Sequence, residues 1–267
     1  MNEAATAAAF SRQSLVFDKY DAGNTIIHYK RKRVREHVLR YMPATGSILE
    51  LNSGTGEDAG FFARKGYAVH ATDIAGGMQQ QLIEKMRVQG LTDRVTAELC
   101  SFNSLGDLKA RGPYDLVFSN FAGLNCTGNL DTVLMSLSSL VKPGGQVSLV
   151  ILPGFCLWES LLVFKGKFGT AFRRWFSSRG ARSHVEGVYF KCWYYSPGYV
   201  RKAMGVDFEL LGLEGLCTIV PPSYIEGFAE NWPKLYGTLC RLENRWKGRW
   251  PWRAIGDYYI ISFRKKF

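Results

Sequence analysis

The chain is poor in the features that mark secreted, metal-binding and membrane-spanning proteins. Its six cysteines (Cys100, Cys126, Cys156, Cys192, Cys217 and Cys240) are widely spaced and form no C-x-x-C pair. That spacing argues against a disulfide framework or thiolate metal site, and for a reduced, cytoplasmic protein with no metal. Histidine is equally scarce, four in 267 residues, so few side chains are suited to act as a base near neutral pH. The N-terminus lacks a basic segment followed by an apolar core, and no signal peptide is expected. The longest apolar run, Val147 to Phe164, is split by Pro153-Gly154 and interrupted by Glu159. It is expected to be a buried strand and then a core or lid helix, not a membrane span. Internal repeats and low-complexity tracts are absent.

What is present suffices for one large domain, since 46% of the residues are hydrophobic and a chain of this length buries a substantial core. Basic residues outnumber acidic ones, 34 to 23, for a net charge of +11, which favours anionic partners without specifying a fold. The most informative stretch runs from Ser47 to Met78. It opens on the apolar run Ile48-Leu49-Glu50-Leu51, which has the length of a buried parallel strand. It then breaks into Asn52-Ser53-Gly54-Thr55-Gly56, where glycine allows a strand-to-helix turn and the close approach of a ligand. A helix is expected over Asp58 to Lys65, with Ala59, Phe62 and Ala63 as its apolar face and Gly66 as its stop. A second strand, Tyr67 to Thr72, delivers Asp73 at its carboxyl end, where open parallel sheets bind ligands.

Two cofactors fit this unit. Gly54-x-Gly56-x-x-Ala59, with Asp73 about twenty residues on, satisfies the dinucleotide fingerprint. The same residues also read as Glu50-x-Asn52-x-Gly54-x-Gly56, followed by Asp73-Ile74 with Gly76-Gly77-Met78, and later by Leu140-Val141-Lys142-Pro143-Gly144-Gly145 before a strand. This ordered set resembles the class I S-adenosylmethionine (SAM)-dependent methyltransferases, and most closely the type 11 group that includes quinone-biosynthesis enzymes. The resemblance covers about residues 46 to 152. It implies an α/β, Rossmann-like sheet of seven strands, mostly parallel with the last antiparallel, and helices on both faces. It further implies a helical cap over residues 1–45, a SAM-binding core over 46–152, a lid or substrate insert over 153–195, and a C-terminal half of the sheet over 196–267 with a helical excursion at 221–253.

Within that frame, the second helix of the cap carries Lys30, Arg31, Lys32, Arg33 and Arg35, a run expected to form a solvated face, with His37 exposed. Phe17, Tyr20 and Tyr29 are candidate cap aromatics. Gln79 to Gln89 reads as an exposed helix and Tyr114 to Ser119 as the fourth strand. Val185 to Tyr195 reads as a strand, Asp207 to Leu216 as the sixth strand of the main sheet, Tyr224 to Trp246 as an amphipathic helix, and Asp257 to Arg264 as the last strand.

The resemblance places the methyl donor on Glu50, Asn52, Ser53, Gly54, Thr55 and Gly56, with Asp73 on the ribose. Ile74, Met78 and Phe102 would flank the adenine, Ser101 would meet its amino group, and Asn120 and Phe121 would lie where donor and acceptor meet. Asn52 stands where the family has glycine, and asparagine tolerates positive φ better than most residues. Candidate bases are His184, His28 and Tyr20. The leading reading is a SAM-dependent methyltransferase acting on a small apolar or aromatic acceptor. The charge also motivates a nucleic-acid (RNA) methyltransferase, but the place of the D/N-P-P-Y/F tetrad reads Ser119-Asn120-Phe121-Ala122, which makes nucleic acid the weaker choice. A third reading is a non-catalytic membrane-surface module. In it, Trp246, Trp250 and Trp252, interleaved with basic residues, would make peripheral membrane contact.

Overall fold

The computed structural model describes residues 2–175, 177 and 179–267. Two helices lead, α1 (Asn2–Ala22) and α2 (Thr25–Leu39). Asn24 caps the second by accepting from the N–H groups of Ile26 and Ile27. The core then alternates: β1 (Ser47–Leu51), α3 (Glu57–Arg64), β2 (Ala68–Asp73), α4 (Gly76–Val88), β3 (Val95–Leu99), β4 (Tyr114–Ser119), α5 (Leu130–Ser136) and β5 (Val141–Ile151). The insert holds α6 (Leu157–Ser160), α7 (Phe168–Phe172) and a hairpin of β6 (Ala181–Val185) and β7 (Val188–Cys192). The chain ends with α8 (Pro197–Met204), β8 (Phe208–Leu216), α9 (Phe228–Asn231), α10 (Pro233–Trp246) and β9 (Tyr258–Lys265).

Seven strands form one sheet in the order β3-β2-β1-β4-β5-β9-β8. β9 runs antiparallel to both its neighbours, and the other pairings are parallel. This is the sheet expected from the sequence. Both faces are covered, and the alternation of side chains along each strand divides the core in two. Leu49, Leu51, Val117, Leu149 and Ile261 pack under α5 and α8. Ile48, Leu116, Phe118, Val150 and Ile260 pack under α2, α3 and α4 with Phe62, Leu82 and Met86.

Several local expectations are corrected. The basic run of α2 is not a solvated face, because Lys30, Arg31, Arg33 and His37 are all buried. Arg33 donates to Tyr29 Oη (2.8 Å), to Glu243 Oε1 (3.3 Å) and to Glu214 Oε2 (3.2 Å). His37 lies 3.0 Å from Ser262 Oγ. A helix lying across a sheet must bury one stripe whatever its charge, and this stripe is compensated by acids from α1, α3, β8 and α10. The helix expected over 79–89 is exposed on its outer side, but α4 begins earlier, at Gly76, and buries a stripe of Met78, Gln79, Leu82 and Met86. The strand expected over 185–195 is instead the second arm of a hairpin, turning at Glu186 (φ 45°) and Gly187 (φ 78°), the positive dihedrals of a two-residue turn. The helix expected over 224–246 is broken before Pro233, which lacks an N–H and disfavours helical backbone at Trp232.

Glu243 anchors α10. Its Oε2 accepts the N–H groups of Thr218, Ile219 and Val220, each at 2.9 Å, and its Oε1 accepts that of Cys217 at 3.0 Å. Glu243→Ala strands these donors together with the buried Arg33, so a loss of about 3–5 kcal/mol is expected. Urea denaturation of the variant beside the parent chain measures it.

Candidate functional site

The carboxyl ends of β1, β2 and β4 open into a cleft with about 750 Å³ of atom-free space, roofed by α1 and α2. Its floor is the turn after β1. Asn52 (φ 48°), Gly54 (φ 56°) and Gly56 (φ 82°) all take left-handed backbone, which lifts the loop off the strand and aims α3 at the cleft. The Asn52 side chain explains how asparagine is accommodated there. Its Nδ2 donates to the Asn120 carbonyl (2.8 Å) and its Oδ1 accepts from Ser119 Oγ (2.6 Å). The space this takes is left by Gly123, where a Cβ would overlap the Asn52 amide. The loop is thus tied to the tip of β4.

Of the residues singled out in the sequence, Glu50, Asn52, Ser53, Gly54, Thr55, Asp73, Ile74, Met78, Phe102, Asn120 and Phe121 all line this cleft. Gly56 and Ser101 do not. Gly56 starts α3 and packs its Cα side against Leu82, while Ser101 Oγ accepts from the Asn103 N–H (3.0 Å). The candidate bases lie elsewhere. His184 is on the exposed face of β6, its ring centre 4.6 Å from that of Tyr189 and tilted 45° to it. His28 faces an outer groove between α2 and α3, and Tyr20 is 60% exposed. Among the described residues no histidine lines the cleft.

The roof supplies what the motifs did not reveal: Thr6 and Phe10 beside the expected Phe17, and Arg31. Tyr29 points away, its hydroxyl on Glu243 (3.1 Å). Arg31 donates to Asp58 Oδ2 (2.9 Å) and pairs with Asp21. Asp58 also accepts from Arg35 Nε (2.7 Å) and from the Asn120 amide (2.7 Å). An arginine hidden in a basic run, and an acid in the first turn of α3, gave no separate signal in the sequence.

The carboxylates of the cleft differ in character. Burial raises the Asp58 carboxyl, but the guanidinium groups of Arg31 and Arg35 and the Asn120 amide outweigh it, so Asp58 titrates below its ordinary value. Glu50 goes the other way. Burial and then the charge of Asp58 push it well above the ordinary range, and its Oε2 is buried with no hydrogen-bond partner. Burial also raises Asp73, against the backbone N–H groups of Ala75, Gly54 and Ile74. Each Asp73 oxygen accepts one of these bonds, from Gly54 at 2.9 Å and from Ala75 at 2.8 Å, which leaves lone pairs free for a ligand. One cluster of metal-type ligands occurs among the described residues, Cys156 with Glu159 and Asp257. The Arg174 guanidinium already lies between its acids, 2.6 Å from Glu159 and 2.8 Å from Asp257.

Residues 48–145 match the family model of a methyltransferase domain. No curated protein matches the chain. Solved structures that resemble it include a protein from Listeria monocytogenes assigned to the SAM-dependent methyltransferases, with TM-score 0.61, 15% identity, and 88% of this chain and 97% of that one covered. They also include the Burkholderia thailandensis 1,6-didemethyltoxoflavin-N1-methyltransferase with bound 1,6-didemethyltoxoflavin and S-adenosylhomocysteine (TM-score 0.57, 14% identity, 99% and 88% covered). A third is the Streptomyces coelicolor A3(2) geranyl diphosphate C-methyltransferase (TM-score 0.57, 11% identity, 90% and 80% covered). Residues 48–145 thus carry the signature of a methyltransferase domain. Two features of the cleft are compatible with SAM as the methyl donor of such a domain. The floor has bare backbone with open space above Gly54, and the unpartnered oxygen of Glu50 offers a buried acceptor to a cationic ligand.

The raised pKa of Glu50 has a consequence for binding. A cationic ligand favours the ionised form, so affinity for SAM is expected to rise with pH through that pKa and to fall below it, with protons released on binding. Calorimetry in buffers of different ionisation enthalpy reads the release, and Glu50→Gln is expected to abolish it.

Proposed function

We propose that this methyltransferase moves the methyl group of SAM to a small apolar or aromatic acceptor. The observation that carries the reading is the wall beside the cleft. Phe121, at the tip of β4, has its ring 6.1 Å from that of Tyr258 at the start of β9, and the buried Lys30 ammonium lies 5.2 Å and 4.8 Å from the two ring centres. Phe121 lines the cleft and gives an apolar or aromatic acceptor a ring to pack against, while the Lys30 ammonium, donating to Ser223 Oγ (2.9 Å), holds that ring and Tyr258 in place. Phe121 and Ala122 hold left-handed backbone (φ 46° and 63°), a strain typical of functional turns.

The donor supplies an already activated methyl on a sulfonium centre, so transfer depends chiefly on alignment and exclusion of water. In this proposal Asp73 accepts both ribose hydroxyls, and Ile74, Met78 and Phe102 flank the adenine. Glu50 and the Asn120 carbonyl receive the ammonium, and Arg31 faces the carboxylate. Phe10 and Phe17 of α1 cover the donor and keep water out. None of His28, His184 and Tyr20 lines the cleft, so this proposal gives the chain the work of orienting an acceptor that is itself nucleophilic. The Burkholderia relative with its toxoflavin precursor and the Streptomyces relative with geranyl diphosphate give precedent for small acceptors on this fold. The nucleic-acid reading loses one of its supports, because much of the basic run in α2 is internal and paired.

Asp73→Ala is expected to weaken SAM binding at least tenfold, about 1.4 kcal/mol or more, and unchanged affinity by calorimetry would remove Asp73 from the site. For the acceptor, purified protein is screened for S-adenosylhomocysteine release on small aromatic and isoprenoid compounds, guided by mass spectrometry of any co-purified ligand. Lys30→Met should lower kcat/KM for the acceptor so found at least tenfold while S-adenosylhomocysteine affinity stays within about twofold. Turnover on RNA alone would overturn the proposal.

A further inference from the structure

The insert carries a surface that the methyl-transfer site does not explain. Phe164, Phe168, Phe172 and Trp175 are 84%, 58%, 36% and 52% exposed. Phe168 and Phe172 stand four residues apart on α7 and share a face. The rings of Phe172 and Trp175 meet edge to face at 5.6 Å, and Trp175 leans on Phe155 at 5.7 Å. Exposed apolar residues scattered singly are ordinary, whereas a run of aromatics like this marks an interaction surface.

Charge selects the partner. Between Glu159 and Glu186 the sequence has no acid, and Glu159 is buried and held by Arg173 and Arg174. Lys165, Lys167 and Arg179 are exposed beside the aromatics and form no ion pair among the described residues. A phospholipid surface with anionic headgroups satisfies both halves of this pattern. Aromatic rings settle at the boundary between headgroups and acyl chains, and flanking cations reach the phosphates. No described helix is long and apolar enough to cross a membrane, so contact through this surface is peripheral. Arg174 bonds the Asp257 carbonyl at 2.9 Å and the Asp257 carboxylate at 2.8 Å, fastening the ridge to the start of β9 so that it needs little ordering on contact. The tryptophan cluster expected to serve this role is less suited, because Trp246 and Trp252 are half-buried and Trp250 alone of the three is exposed.

We propose that the aromatic ridge of the insert, with Lys165, Lys167 and Arg179 around it, docks this protein on an anionic phospholipid surface. Docking stands independently of the methyl-transfer proposal. The test is flotation of the full chain with vesicles of phosphatidylglycerol mixed into phosphatidylcholine, beside vesicles of phosphatidylcholine alone. The expected result is binding to the anionic vesicles that high salt reverses. Phe164→Ser with Phe168→Ser should abolish it, and Lys165→Gln with Lys167→Gln should weaken it by roughly fivefold per charge removed. All four side chains are exposed, so both variants should keep the parent's circular dichroism and S-adenosylhomocysteine affinity. Failure of the parent to bind anionic vesicles at low salt overturns the proposal, as does binding that both folded variants retain. Sedimentation that shows the ridge buried in a dimer, with the Phe164→Ser/Phe168→Ser pair monomeric and vesicle binding absent, overturns it in favour of a second copy of the chain.

Discussion

The structure depends on burying a helix that is too basic to be buried unpaired. Along α2, Arg31 meets Asp58 and Asp21, Arg33 meets Glu214 and Glu243, and His37 lies against Ser262. An uncompensated charge at such depth costs several kcal/mol, so each acid must be delivered to its place by the fold. Those acids come from α1, α3, β8 and α10, which makes α2 the piece through which the N-terminal cap and the C-terminal elements are fixed to each other. The same helix reaches the cleft through Arg31 and sets Lys30 against the Phe121 and Tyr258 rings, so the ionic network that fixes the helix also positions these two cations.

The second constraint is geometric. The turn after β1 needs positive φ at successive alternate positions, and Asn52 occupies one of them. The extra side chain is accommodated by a change elsewhere: Gly123 leaves room, and the amide bridges Ser119 to Asn120. A substitution that weakens the local glycine pattern thereby links the loop after β1 to the tip of β4. The carboxylates show the same division of labour. Arg31 and Arg35 keep Asp58 ionised, and that charge in turn helps to raise Glu50. Two acids in one cleft hold different protonation preferences because only one has cationic neighbours in contact.

Much of this was legible in the sequence, and the reasons are particular. The strand–glycine–helix unit and Asp73 are local in sequence, with every requirement of the turn met within a few residues, so most of the residues that line the cleft could be named from the sequence. Pro233 was equally local, yet the amphipathic period from Tyr224 to Trp246 masked it. The hairpin at Glu186-Gly187 was obscured because alternation over Val188 to Cys192 looks the same in a lone strand and in one arm of a pair.

By itself, then, the sequence determined the strand–turn–helix floor of the cleft, because that rests on backbone dihedrals and short-range periodicity, while the seven-stranded sheet and the choice of SAM over a dinucleotide followed from the ordered motifs that resemble the methyltransferases. Only the tertiary structure decided which cations are buried, that His28, His184 and Tyr20 stand away from the cleft, and that Arg31, Asp58 and Phe10 line it. Partners separated by 27 residues in Arg31–Asp58, and by 210 in Arg33–Glu243, leave no periodic trace. Their pairing is set by packing across the sheet, and a charge run reads the same whether it faces water or a complementary wall.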